Sequence, residues 1–264
     1  MSVEISFRLS FRSTYEYYDH SCNLNTVQSH RLVPGEGSLD CISGCSGSIL
    51  PWMSYYCTDF STTEVWTTGQ RVISYTFPNT SNNVFKFGYG SCCWISLVEG
   101  GSVANWQMQT TADLTIRQDN GKINSSPISA MPPIVRLQQG CYYALVIPTA
   151  DDDKDVVKCR WSTGYSECGD VCEKLSGSVL IGEKCALQYT ASGSTGWYAV
   201  AIQIEDFVNS NSTVPLSSVS LQFLVNVFSS TASCQSQPFI NTTISTPPTV
   251  KITLNTTFFS NDCC

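Results

Sequence analysis

The sequence predicts an all-β protein, with tandem disulfide-bonded β-sandwich (Ig-like) domains followed by a C-terminal strand-like tail. Three observations predict this. Apolar and polar residues alternate in short runs, turn formers punctuate those runs, and fourteen cysteines are spread along the 264 residues. Helical periodicity is nearly absent, and many short strands with frequent turns are the pattern of a sandwich.

The first run is the most regular. Val3, Ile5, Phe7, Leu9 and Phe11 alternate with Glu4, Ser6, Arg8, Ser10 and Arg12, the period of two of a half-buried strand. Further strands are expected at Val72–Phe77, Cys141–Ile147, Trp197–Phe207, Leu221–Phe228 and Val250–Leu254. Between them lie Pro34-Gly35, Gly44, Pro78-Asn79, Asp119-Asn120-Gly121 and Ser192-Gly193, residue types that favour turns. Residues 124–133 (NSSPISAMPP) hold three prolines and read as a stiff linker. The expected organisation is a cysteine-rich β-domain over 1–128, an Ig-like sandwich over 129–236, and a tail over 237–264. The tail carries Pro247-Pro248, the strand-like TVKITLNTTFF and a final cysteine pair.

The cysteines divide as six, six and two: Cys22, Cys41, Cys45, Cys57, Cys92 and Cys93; Cys141, Cys159, Cys168, Cys172, Cys185 and Cys234; Cys263 and Cys264. The count is even and no CxxC occurs, so disulfides in an oxidising compartment are expected rather than zinc sites. The vicinal pairs Cys92-Cys93 and Cys263-Cys264 are each expected to reach separate partners, because a ring closed between neighbours is strained. Five sequons, at Asn79, Asn124, Asn211, Asn241 and Asn255, point to N-linked glycans on a secreted, extracellular chain. The alternative is that some lie too close to folded strands to be modified. Met1 leads directly into an alternating segment, so a mature start is expected, and no stretch is apolar enough to cross a bilayer.

Charged residues make up 13% of the chain and the net charge is −7. No basic stripe exists for nucleic acid or an anionic membrane. Catalysis is not expected. The histidines are His20 and His30, no nucleophile elbow or HExxH occurs, and the adjacent Glu205 and Asp206 must point to opposite faces of a strand. Asp151, Asp153 and Asp155, in the run DDDKD after a strand, are the candidate calcium ligands, with Glu205 or Asp206 as remote contributors. A solvated acidic turn explains the same run. Trp52, Tyr55, Tyr56 and Trp161 are possible platforms for an extracellular glycan, or core aromatics packed on disulfides.

Several phrases recur in a familiar order: SLDCISGCSGSI, YYCTDFSTTEVW, RQDNGKINSSP with RLQQGC, DDDKDVVKCRW, and GWYAVAIQIEDF with PLSSVSLQFLV. Together, over about residues 5–240, they resemble an extracellular cysteine-rich module of large secreted or surface proteins of marine invertebrates. That resemblance implies an adhesive or structural context. Where the module has an Asp-Pro-Asp-Gly-Asp-like turn, this chain has Lys154 in place of the glycine. The expected function is a structural glycoprotein that associates with copies of itself into fibrils or matrix, exchanging VEISFRLSF or TVKITLNTTFF as a terminal strand. The alternative is a ligand- or carbohydrate-binding ectodomain of an adhesion receptor.

Overall fold

The computed structural model describes residues 2–13, 22–78 and 83–234. The chain divides into a compact unit, Met1–Thr231, and a second unit, Ala232–Cys264. The helices and strands among the described residues lie in the first unit. The expected strand at Val250–Leu254 and the pair Cys263-Cys264 fall outside the described residues.

The predicted alternation of the first run becomes β1 (Ser2–Arg12), with the odd-numbered side chains inward. A short helix α1 (Leu24–Gln28) follows, capped by the Asn23 side chain on the Thr26 N–H at 3.0 Å. Then come β2 (Leu32–Pro34), β3 (Leu39–Ser43), β4 (Ser48–Leu50), β5 (Ser54–Ser61), β6 (Trp66–Thr76), β7 (Val84–Cys92) and β8 (Asn105–Asp113). The later half adds β9 (Ile128–Ser129), β10 (Ile134–Gln138), β11 (Tyr142–Val146), β12 (Thr149–Ala150), β13 (Val156–Trp161) and a one-turn helix α2 (Tyr165–Cys168). It closes with β14 (Val179–Ile181), β15 (Ala186–Thr190), β16 (Gly196–Phe207) and β17 (Ser217–Phe228).

These strands form two sandwiches that share one long sheet. An eight-stranded sheet runs β13-β16-β17-β8-β7-β3-β4, with β10 parallel beside β17. A four-stranded sheet, β1-β6-β5-β2, packs on its β3-β7-β8 end. Leu9, Tyr55, Phe77, Phe85 and Tyr89 fill that core, and the rings of Phe77 and Phe85 stand 4.3 Å apart. A three-stranded sheet, β11-β15-β14, packs on the other end around Leu137, Leu187, Tyr189, Ile202 and Val225.

The strand β16 explains itself from sequence. Its run GWYAVAIQIEDF is nearly continuous in apolar residues because both of its faces are covered. Val200, Ile202 and Ile204 face the second core, while Ala199 and Ala201 meet Leu97, Ala104, Cys168 and Val171 on the opposite face. Where the two halves of the long sheet join, the backbone ladder is short: β17 pairs with β8 only at Ser217–Ala112 and Ser218–Thr111. Beyond that point side chains take over. Ser220 Oγ accepts from the Gln109 N–H at 3.0 Å and donates to its carbonyl at 2.9 Å, and Gln222 Nε2 donates to the Gln107 carbonyl at 2.6 Å.

Five disulfides are traced: Cys22–Cys57, Cys41–Cys45, Cys92–Cys93, Cys159–Cys185 and Cys168–Cys172. Cys141 and Cys234 are also disulfide-bonded. The Cys92–Cys93 bond corrects the expectation that vicinal cysteines reach separate partners. The peptide between them is cis, and their Cα atoms lie 3.0 Å apart.

Candidate functional site

The densest cluster of charged side chains gathers at the junction of the two sandwiches, around Arg117. The Asp119-Asn120-Gly121 turn, legible in the sequence, folds the chain back so that the Arg117 N–H donates to the Lys122 carbonyl at 2.8 Å. This aims the guanidinium inward, where it is 6% exposed. All five of its donors are used. Nε and Nη2 hold Asp119 at 3.0 and 2.7 Å, Nη1 and Nη2 grip Asp155 as a fork, and Nη1 also donates to Asn124 Oδ1 at 2.7 Å. Such an array keeps Arg117 charged at every accessible pH, and its bond to Asp119 holds that carboxyl below the usual range.

The acidic run splits over this cation. Asp151, Asp155 and the fully buried Asp206 place carboxylate oxygens within 4.8 Å of one another. Asp153 turns aside to accept the Ser125 N–H at 2.7 Å, with Arg117 at 3.7 Å. Asp151 Oδ1 accepts the N–H groups of Asp153 and Asp155 at 2.9 and 3.0 Å, while its Oδ2 is buried without a partner. Asp206 accepts from the N–H and hydroxyl of Ser217 at 2.7 and 2.8 Å and from Asn124 Nδ2 at 2.6 Å. Burial raises the carboxyls of both Asp151 and Asp206, opposed by those hydrogen bonds and reinforced by neighbouring negative charge. Lys154 stands with φ +64, the left-handed conformation that glycine adopts most readily.

Calcium requires six to eight oxygens. Of the six oxygens offered by Asp151, Asp155 and Asp206, five accept hydrogen bonds from protein donors and Asp151 Oδ2 accepts none. The cation that the structure sets beside this loop is the guanidinium of Arg117, which binds Asp155 and lies 3.7 Å from Asp153. Arg117 escaped the sequence reading because its partners lie up to 38 residues away; the one local hint was a basic residue two positions before Asp119.

Glu205 and Asp206 do point to opposite faces. Glu205 accepts from Arg160 Nε at 2.8 Å, and Arg160 forks onto Glu167 at 2.7 and 2.8 Å. Asn124, a predicted glycan acceptor, has its amide nitrogen committed to Asp206, whereas Asn211 lies exposed in the turn between β16 and β17. Asn79, Asn241, Asn255 and His20 lie outside the described residues. Among the expected glycan platforms, Trp52 is 76% exposed and Tyr56 40%, but Tyr55 is fully buried with its hydroxyl 2.8 Å from Thr67 Oγ1. That burial pushes its pKa up to about 12. Trp161 packs against the second core. Two surface depressions, of about 190 and 210 Å³, flank the junction, below the roughly 300–1,000 Å³ of small-molecule sites. No helix among the described residues is long and apolar enough to cross a membrane.

Residues 1–115, less than half of the chain, match the family described as integrin beta-like protein A-E, N-terminal. Integrin beta-like protein C of Dictyostelium discoideum is 27% identical over 139 residues, a stretch that spans 52% of this chain and 7% of that protein. Two solved structures align at 9% identity. One is a chimeric titin Z1Z2 tandem functionalised with a GRGDS peptide from fibronectin (TM-score 0.28, covering 86% of this chain and 91% of that one). The other is the Ig1-2 module of the Drosophila receptor protein tyrosine phosphatase DLAR (TM-score 0.24, covering 75% and 84%). At those TM-scores neither carries an argument; the disulfide-bonded, all-β sandwich stands on the strand ladders themselves.

Proposed function

We propose that this chain is a non-enzymatic adhesion module of an extracellular or cell-surface protein. The observation that carries this reading is the match of residues 1–115 to the N-terminal region of integrin beta-like proteins. Two features support it. The disulfides require an oxidising compartment, and the charged clusters are structural ties rather than open reaction centres. Asn211 is the described sequon whose amide is free to carry a glycan. The test is direct: beads coated with the oxidised 264-residue protein are offered to cells that display it and to cells that do not. Adhesion above albumin-coated beads, abolished by reduction of the disulfides, is expected. Equal adhesion to albumin would overturn the reading.

Assembly into fibrils by exchange of the first run would cost that strand its own pairing. VEISFRLSF lies within β1, which is paired with β6 at every position from Ser2–Thr76 to Arg12–Trp66. Donating it would strip that ladder and uncover Leu9. TVKITLNTTFF lies outside the described residues. Association through the outer edge of β1 would disturb neither.

A further inference from the structure

The edges of the four-stranded sheet are β1 and β2, and they differ sharply. Natural edges are blunted by short length, proline, lysine, bulges or inward charge. Here β2 is three residues long and ends in Pro34. β1 is eleven residues long, holds no proline, glycine or lysine, and keeps its register with β6 without a bulge. Among the described residues no strand pairs with its outer side. Its inward side chains Val3, Ile5 and Phe7 remain only partly covered, although they pack on the first core. This is an edge of about 36 Å, at about 3.3 Å per residue, guarded among the described residues only by its outward charges Glu4, Arg8 and Arg12, which oppose any partner that does not complement them.

The outward side chains identify the partner. On the solvent face β1 carries Ser2, Glu4, Ser6, Arg8, Ser10 and Arg12. Glu4 and Arg8 form no ion pair among the described residues, and their neighbours on β6, Ser74 and Gln70, are uncharged. An antiparallel partner strand that is a second β1, with the two-fold axis at Ser6, places Glu4 opposite Arg8 of the copy, and does so twice by symmetry. The same register sets Ile5 against Phe7 of the copy and Val3 against Leu9, which extends the apolar face across the junction. Moving the axis to Arg8 would pair Glu4 with Arg12 of the copy but set Arg8 against itself at the centre, a like-charge pair that the register centred on Ser6 avoids.

We propose that two copies of this chain associate through the outer edges of β1, in the antiparallel register centred on Ser6, to form a continuous eight-stranded sheet. The contact is isologous and closed, so it yields a dimer rather than a filament. It is independent of what the module adheres to, so the bead assay and the test below fail separately.

The test is sedimentation of the full 264-residue protein across a concentration series, with circular dichroism to confirm the fold. Wild type is expected to dimerise. Glu4→Arg and Arg8→Glu, both on exposed positions, are each expected to weaken dimerisation about tenfold, since two attractive pairs become repulsive. Mixed in equal amounts, the two variants are expected to restore dimers, because every pairing across the axis is again opposite in sign. The double variant should dimerise like wild type. A monomeric wild type overturns the proposal, as does a mixture that associates no better than either variant alone. A dimer unaffected by all four combinations places the contact elsewhere and overturns it equally.

Discussion

Asp151 carries the sharpest prediction at the scale of single residues. Its Oδ2 is buried without a donor, and it faces Asp155 and Asp206. Burial and like charge both raise its carboxyl above the unfolded value of about 3.9. The sign follows. A raised pKa means that the folded state disfavours the ionised form, so the penalty is present at neutral pH, fades as pH falls through the folded pKa, and is gone below the unfolded one. Asp151→Asn keeps the Oδ1 acceptor and supplies an N–H in place of the bare oxygen. It is expected to stabilise the protein at pH 7 by about 1 kcal/mol in denaturant unfolding, with the difference from wild type closing below about pH 4. A gain that stays constant with pH would show that charge is not its cause. Because Arg117 already serves the loop as its cation, wild-type melts in millimolar calcium and in chelator are expected to coincide. A calcium-dependent rise that Asp151→Asn removes would instead put an ion against Oδ2. The same cluster separates the sequons: Asn124 Nδ2 is bonded to Asp206, so peptide mapping should find a glycan at Asn211 and none at Asn124.

Among the elements, β6 depends on a glycine that no sequence pattern marks as necessary. Gly69 lies between Leu9 of β1 and Cys57 of β5, and a Cβ there would stand 2.1 Å from the Tyr56 carbonyl oxygen and 2.3 Å from the Tyr55 ring. Glycine inside a strand often marks close approach of another backbone. Gly69→Ala is expected to cost about 3 kcal/mol, the upper part of the overpacking range, and a shift under 0.5 kcal/mol, the size of an ordinary surface change, would refute the close packing. The elements that could be read in advance were those whose burial follows one period. β1 alternates and was expected at Val3–Phe11; β16 and β17 are apolar enough to appear as Trp197–Phe207 and Leu221–Phe228. β8 (NWQMQTTAD) escaped notice because its residues are all of intermediate exposure and mostly polar, so no alternation is visible. The acidic run was recognised, but its organising residue was not. Asp151 and Asp155 belong with Asp206 across the fold, whereas Asp153 belongs with Ser125, and a spacing rule in sequence cannot separate those fates.

For the molecule as a whole, the question is what makes two sandwiches one cooperative unit. Strands from both sides of residue 128 share the long sheet, but the traced disulfides each stay within one half. Ties that span the junction include the small core around Ala199 and Ala201, the Arg117 cluster, the polar seam between β8 and β17, and the polar pairs Glu64–Arg136, Glu99–Ser176 and Asn105–Asp170. In that seam Ser220 Oγ substitutes for missing ladder bonds, serving both the N–H and carbonyl of Gln109 and accepting from Gln203 Nε2 at 2.8 Å. Ser220→Ala deletes one oxygen and strands three polar groups, which is expected to cost about 2 kcal/mol. The loss falls on the coupling rather than on either core. Calorimetry should therefore show the van't Hoff enthalpy dropping below the calorimetric enthalpy as the two sandwiches begin to melt separately. If the variant melts in one two-state step at the wild-type midpoint, the seam is not a coupling element, and the remaining contacts across the junction suffice to join the halves.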